Sequence, residues 1–271
     1  MADEVGTIEG QAIERQDETF DLSAKLYALD ESGHIELPTG SKAVIHEMTG
    51  HEQRNFLNKG KQMSGVAMQE LLSACVESIN EQPLPVNPQD RTKFLLDMLS
   101  GDRATLVFQI RRISLGDDFR FSARCTNPEC KKEDMWEVDL SDPEDFPIKR
   151  YPNGTMKVLE YESKIRPGIK IRYTCLDGHA ELTLFRKRAS ITSLTDLELR
   201  LPHAFDTKTS MWVPVILQKL PEVLIKEMRD QIRDNEGSIR TTVDIECKNC
   251  GQQVTFDLLT VPDFMFPNMT S

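Results

Sequence analysis

Arg103-Ala-Thr-Leu-Val-Phe-Gln-Ile-Arg-Arg-Ile-Ser-Leu-Gly-Asp-Asp-Phe-Arg-Phe-Ser-Ala-Arg-Cys125-Thr-Asn-Pro-Glu-Cys130-Lys-Lys-Glu-Asp-Met-Trp-Glu-Val-Asp-Leu140 reads as a helix, a strand, a cysteine knuckle and a second strand. Leu106, Val107, Ile110 and Ile113 recur at helical spacing and make an inward stripe. Gly116-Asp-Asp118 ends that helix. Phe119 to Cys125 then alternates like a strand with one covered face, and Trp136, Val138 and Leu140 alternate again. Lys131-Lys-Glu-Asp134 reads as a solvated turn.

A shorter copy of the pattern lies near the C-terminus. A helix from about Glu222 to Asp234, with Leu224, Ile225, Met228 and Ile232 as its stripe, leads into a strand and Cys247-Lys-Asn-Cys250-Gly251. Phe119 to Cys125 lines up with Arg240 or Thr241 to Cys247, and Trp136 to Leu140 with Val254 to Leu258. The expected fold is α+β, with a duplicated helix–strand–Cys knuckle–strand unit joined through a shared structural zinc site and a β-rich middle segment. Residues 1–30 form an acidic arm, 31–145 the N-terminal unit with the first knuckle, 146–214 the middle segment, and 215–271 the C-terminal helix, second knuckle and aromatic tail.

Two thiolates on a tight turn are half of a tetrahedral zinc site, and neither pair closes a site alone. Cys125, Cys130, Cys247 and Cys250 together supply a closed four-thiolate set. Such a centre holds structure and leaves no open position for a substrate. Its sulfurs should cluster within about 4 Å of one another. Gly251 suits a left-handed turn after the second pair. The competing readings are a redox pair and incidental thiols. A redox Cys-x-x-Cys opens a helix after a strand, whereas both pairs here stand between strand-like segments. Cys75, in an apolar helical run, reads as a core residue. Cys175 and His179, four apart across Gly178, form a weak second ligand candidate.

The net charge of −11 argues against a nucleic-acid backbone as partner. Nothing approaches eighteen successive apolar residues, so no membrane span is expected. The acidic N-terminus lacks the basic and apolar regions of a signal peptide. Six cysteines with two close pairs suit a reducing compartment and a metal better than a disulfide framework. The chain contains no Gly-rich phosphate loop, no Gly-x-Ser-x-Gly elbow and no His-Glu-x-x-His. With 44 Asp and Glu, paired carboxylates are expected by chance, and no catalytic residue is nominated. His46 and His51 read as surface residues or as an acid–base pair without a nucleophile.

The remaining elements follow from local signals. Met1 to Asp30 reads as a flexible arm, with Phe20, Leu22, Leu26 and Leu29 for a short ordered segment. Ile35 to Gly40 and Ala43 to Met48 form a hairpin. Thr49 and Glu52 form a capping box for a helix from Gly50 to about Leu57. Ser64 to Ser78 and Asp90 to Leu99 are helices, separated by the proline connector Glu81 to Pro88. Met156 to Leu159, Ile169 to Tyr173 and Ala180 to Leu184 read as strands, and Thr195 to Leu201 as either helix or strand. Val261-Pro-Asp-Phe-Met-Phe-Pro267 either packs over the second knuckle or docks on another subunit.

Several of these pieces recur together in a known family. They are Leu37-Pro-Thr-Gly40 with Met48-Thr-Gly50, Leu72-Ser-Ala-Cys-Val76, and Leu106 through Gly116-Asp117 into Phe121-x3-Cys125 and Cys130. Val138-Asp-Leu140, the closing helix and Cys247-x-x-Cys250-Gly251 complete the order. Across roughly residues 33 to 266 the chain resembles the baseplate hub assembly proteins of T-even-like contractile-tail bacteriophages. Their first knuckle is often Cys-x-x-Cys, where this chain has Cys125-x4-Cys130. The resemblance implies a non-enzymatic scaffold, chaperone or hub component that contacts other tail and baseplate hub proteins, the tape-measure protein among the candidates. It implies a place in the host cytoplasm during assembly or in the virion baseplate. The alternative from the residues alone is a zinc-ribbon nucleic-acid-binding protein that gathers Arg111, Arg112 and Arg186 to Arg188 on one face.

Overall fold

The computed structural model describes residues 34–56, 65–187, 190–260 and 264–265. The expected arm over 1–30, the helix end at Leu57, and Pro267 lie outside these residues.

The fold starts as an antiparallel sheet of β1 (His34–Glu36), β2 (Lys42–Ile45), β3 (Val76–Ile79) and β4 (Gln82–Pro83), in that order. Leu37-Pro-Thr-Gly40 makes the first turn, with the Gly40 N–H donating to the Leu37 carbonyl at 2.8 Å. Gly40 sits at φ 83°, which a Cβ would disfavour. Helix α1 (Gly50–Phe56) opens with the expected cap: the Glu52 carboxylate accepts from the Thr49 N–H at 2.9 Å and from its hydroxyl. Helix α2 (Val66–Cys75) is shorter than the expected Ser64 to Ser78. Val76-Glu-Ser-Ile79 pairs with β2 instead, so strand pairing outcompetes helix extension there. The proline connector also holds β4, which pairs back onto β3.

Helix α3 (Pro88–Leu96) begins two residues before the expected start. The Asn87 side chain accepts from the Gln89 N–H at 2.8 Å, and Pro88 fills the first helical position. Helix α4 (Ser100–Leu115) follows, with Leu106, Val107 and Ile110 buried as the stripe requires. Hairpin β5 (Asp118–Arg124) with β6 (Glu133–Asp139) comes next; Glu133 and Asp134, read as turn residues, belong to β6. β7 (Ile148–Lys149) is a short strand beyond it.

The middle of the chain is less β-rich than the sequence suggests. β8 (Val158–Glu162) and β9 (Lys170–Thr174) pair as antiparallel strands. Ala180 to Leu184, expected as a strand, lies inside helix α5 (Gly178–Lys187). Asp177 decides it: its carboxylate accepts the Ala180 N–H at 3.1 Å, and its carbonyl accepts the Glu181 N–H at 3.0 Å. Asp177-Gly178 is therefore a helix start, not a strand-to-strand turn. Thr195 to Leu201 resolves as the short helix α6 (Thr195–Leu199). β10 (His203–Asp206) and β11 (Met211–Pro214) complete a sheet of order β11-β10-β9-β8. Helix α7 (Glu222–Asn235), β12 (Ser238–Ile239) and hairpin β13 (Thr242–Glu246) with β14 (Gln253–Asp257) close the chain.

Apolar burial divides into two clusters. The first joins the N-terminal sheet, α2, α4 and both C-terminal and central hairpins, with Phe119, Phe121, Trp136, Val243, Val254 and Phe264 inside it. The second lies between β8–β9, α6 and α7, with Tyr173, Leu197, Ile225 and Met228. Helix α7 and the hairpin that follows it thus face different cores.

The joint between the cores is a close backbone contact. A Cβ on Gly101 would lie 2.1 Å from the Gly237 carbonyl oxygen, and one on Gly237 would lie 2.3 Å from the Tyr151 ring. The Gly101 N–H donates to the Tyr151 hydroxyl at 3.3 Å. Only glycine allows the first turn of α4 to meet the end of α7 this closely.

Two arginines of α4 point inward. Arg103, 1% exposed, donates to the Leu95 carbonyl at 2.8 Å, Gln69 Oε1 at 3.0 Å and Glu181 at 2.8 Å, tying α2, α3 and α5 to α4. Arg111 is fully buried and donates to the carbonyls of Phe264 (3.2 Å), Asp118 (3.5 Å) and Gly116. Its guanidinium lies 5.1 Å from the Phe119 ring centre and 5.6 Å from that of Phe264.

Candidate metal centre

In each hairpin a cysteine directly follows the first strand. The Cys125 N–H donates to the Lys132 carbonyl at 2.8 Å, and the Cys247 N–H to the Gln252 carbonyl at 2.9 Å. These bonds are the last rungs of the two ladders, so both knuckles hang from strand ends at the same register. In the second knuckle the Gly251 N–H returns to the Cys247 carbonyl at 2.8 Å. In the first, the Lys131 N–H returns to Asn127 at 3.0 Å, because the longer spacing moves the closing carbonyl two residues along. Gly251 sits at φ 69° and Lys131 at φ 48°, the same left-handed step taken by a glycine and by a lysine.

That register also corrects the expected alignment of the two hairpins. Phe121 pairs with Trp136, and Val243 pairs with Phe256. Trp136 therefore corresponds to Phe256, two residues later than the Val254 expected from sequence. The two extra residues of the Cys125-x4-Cys130 knuckle place Trp136 opposite Phe256; an alignment to Val254 would need four extra residues in the first hairpin, and the ladders contain two.

The four sulfurs converge. Cys125 Sγ lies 3.9 Å from Cys250 Sγ, and Cys130 Sγ lies 3.9 Å from Cys247 Sγ. All four sit within 4.8 Å of one another. A zinc tetrahedron with bonds of about 2.3 Å has sulfur–sulfur edges of about 3.8 Å, so two contacts already have that length and the widest needs a closure of about 1 Å. Cys125 and Cys247 are buried, Cys130 is half-buried and Cys250 faces solvent. Phe121, Trp136 and Phe256 pack beneath: ring centres are 5.4 Å apart for Phe121–Phe256 and 5.7 Å for Trp136–Phe256. Lys132 Nζ donates to Asn249 Oδ1 at 3.2 Å and Lys248 Nζ to the Met135 carbonyl at 3.2 Å, so each knuckle reaches across to the other hairpin.

Backbone amides polarise the group. The N–H groups of Asn249 and Cys250 aim at Cys247 and pull its thiol down to about 7. The Asn127 amide draws on Cys125 in the same way, but burial and the neighbouring thiols outweigh it and push that thiol up to about 12. Cys247 is the first of these two to become a thiolate, and a cation placed among the sulfurs favours the loss of further protons.

The other candidates do not join this site. Cys75 is buried in α2. Cys175 is buried in the second core, where burial and the Glu236 carboxylate push its thiol up to about 12. His179 instead contacts Asp97 at 3.1 Å on the surface, so the Cys175–His179 ligand pair does not form. His51 contacts Asn55 on the surface, and His46 Nδ1 lies 2.8 Å from the Glu47 carbonyl. Of the expected basic face, Arg111 is buried and Arg112 pairs with Asp117 at 2.7 Å, while Arg188 lies outside the described residues. Sequence reasoning set Arg111 beside the inward stripe; its position one residue after Ile110 and four before the helix end was the available signal.

No helix among the described residues is long and apolar enough to cross a membrane. Residues 33–266 match the family described as T4 bacteriophage base plate protein. The chain belongs to that family. The match spans both cores and both knuckles of this base plate protein. Neither a curated protein nor a solved structure matches it. Membership gives the base plate protein a structural, non-enzymatic role in phage baseplate assembly.

Proposed function

We propose that Cys125, Cys130, Cys247 and Cys250 hold one structural zinc ion, and that the stapled chain serves as a scaffold or hub component by binding other tail proteins. The observation that carries this reading is the convergence of four sulfurs from two hairpins that are 117 to 125 positions apart in sequence. Zinc suits an all-thiolate tetrahedral set, and four protein ligands leave it no catalytic position. The two hairpins with their knuckles are copies of one unit. Their helices, which face different cores, have diverged in packing.

The partners in this reading are other baseplate hub proteins and the tape-measure protein, met in the host cytoplasm as the tail is built. The test combines metal analysis of the purified full chain with capture of recombinant hub and tape-measure proteins. One zinc per chain and capture of at least one of them is the expected result. A folded, metal-loaded chain that captures none would overturn the assembly partners, and a chain that folds fully in chelator would overturn the zinc.

A further inference from the structure

Asn127 touches three of the four cysteines of the candidate centre. Its backbone N–H aims at the Cys125 sulfur, its carbonyl accepts the Cys130 N–H at 3.1 Å, and its side-chain Nδ2 donates to Cys250 Sγ at 3.7 Å. The last of these contacts crosses from the first knuckle to the second, 123 positions along the chain. It reaches the one cysteine of the set that is exposed.

Local chemistry fixes the direction of that side-chain amide. The Glu129 N–H donates to Asn127 Oδ1 at 2.9 Å, an Asx turn across Pro128. The oxygen is thereby engaged, and the NH2 is left to face the sulfur. The second knuckle also has an asparagine two residues after its first cysteine. Asn249, however, gives its oxygen to Lys132 Nζ at 3.2 Å. The two asparagines occupy equivalent positions and do different things: Asn249 receives a lysine, and Asn127 serves a sulfur.

Four thiolates around one divalent ion carry negative charge in excess. The exposed sulfur is the first that a proton or a competing chelator can reach. A hydrogen bond to a thiolate is charge-assisted, so it stabilises the charge and fixes the direction of the sulfur. Groups that hydrogen-bond to metal ligands in this way set how tightly the ligands hold the ion.

We infer that Asn127 is the positioning residue of this centre: its side chain holds Cys250 on the metal and so sets how fast zinc leaves the clasp. The inference rests on the zinc reading proposed above and adds the residue that governs retention.

The test mixes the zinc-loaded full chain with a chromophoric chelator and follows transfer by absorbance. Asn127→Ser keeps an oxygen for the Glu129 N–H but is too short to donate to Cys250. Asn127→Asp keeps the shape and the turn but sets a carboxylate against the thiolate. N127S should release zinc about tenfold faster than wild type, and N127D faster still. Asn249→Ala, which removes a partner of Lys132 and no donor to sulfur, should release it at the wild-type rate. Cobalt-loaded chains separate sulfur donation from simple loosening of the loop. A donor lowers the energy of the sulfur lone pairs, so N127S should move the sulfur-to-metal charge-transfer band to longer wavelength and N249A should not. Wild-type release rates in N127S and N127D, an unshifted band in N127S, or equal acceleration by N249A would each overturn the role of Asn127 and leave the zinc reading standing. A wild-type chain that takes up no zinc would overturn the zinc reading, and this inference with it.

Discussion

The side chain of Arg111 donates to the carbonyl of Phe264, 153 positions further along the chain, at 3.2 Å. Phe264 is 1% exposed and packs its ring against Phe108 at 5.8 Å and Phe119 at 5.3 Å. Phe264 and Met265, the described residues of the tail, are therefore buried in the first core, with Phe264 against α4 and β5.

Arg111→Leu should destabilise the protein by about 2–4 kcal/mol, since it strips the partner from buried carbonyls worth about 1–3 kcal/mol each when left unpaired. No carboxylate pairs with Arg111 among the described residues, so repulsion from an orphaned acid does not enter. Chemical denaturation of both proteins measures the difference, and a change below about 0.5 kcal/mol, the scale of an ordinary surface substitution, would contradict it.

Cys247→Ser should release the metal and unclasp the two hairpins. A cross-link that closes a loop of about 100 residues is worth about 4–5 kcal/mol on the chain-entropy scale, which sets the expected loss. Metal content and Tm with and without chelator give the readout. The variant should be metal-free, and chelator should lower the Tm of wild type alone.

Gly101→Ala and Gly237→Ala should each cost about 3 kcal/mol or more, because the added methyl meets backbone or a packed ring in the joint between the cores. Gly50→Ala, with nothing within 4 Å of the new Cβ, should be neutral or stabilising by up to about 1 kcal/mol. Thermal unfolding of the three variants tests the contrast, and equal effects at all three sites would contradict the joint.

Asp102 gives a pH signature. Its carboxylate accepts from the Thr39 N–H at 3.0 Å and hydroxyl at 2.7 Å, yet burial wins and raises its pKa above the ordinary 3.8. The folded state thus binds the proton more tightly than the unfolded one. The resulting stabilisation is full below the unfolded value and is lost as pH rises through the folded value. Between about pH 7 and about pH 4, wild type should gain stability relative to Asp102→Asn as the pH falls. A Tm difference that stays flat, or shifts the other way, would rule this out.

The residues that made the fold legible were those with a strict local requirement. Paired cysteines, the Thr49–Glu52 cap and the alternation of Phe119 to Cys125 each have one good local solution, and the structure adopts it. Ala180 to Leu184 had two, because Ala180 and Leu184, four apart, also share one face of a helix. Asp177, three residues upstream, settles that choice through a cap. Burial of Arg103 was not legible, since its partners Gln69, Leu95 and Glu181 come from three other helices; Arg111 had only its place beside the stripe to signal it. The convergence of the two knuckles was legible as ligand counting, and so was the match of Trp136 to Phe256, since carrying the Cys130–Cys250 offset past the knuckle gives it; matching apolar residues by type to Val254 missed it.

The Cys130–Cys247 contact has a mechanical reading. Apart from Leu99, the second core draws on residues 151–232, all within the loop that this contact closes. With the proposed metal bound, tension applied between His34 and Met265 is borne by the first core and the cysteine clasp, in parallel with that loop. The second core carries no load until the clasp parts, so under pulling force the chain should yield in two steps, the shielded module last.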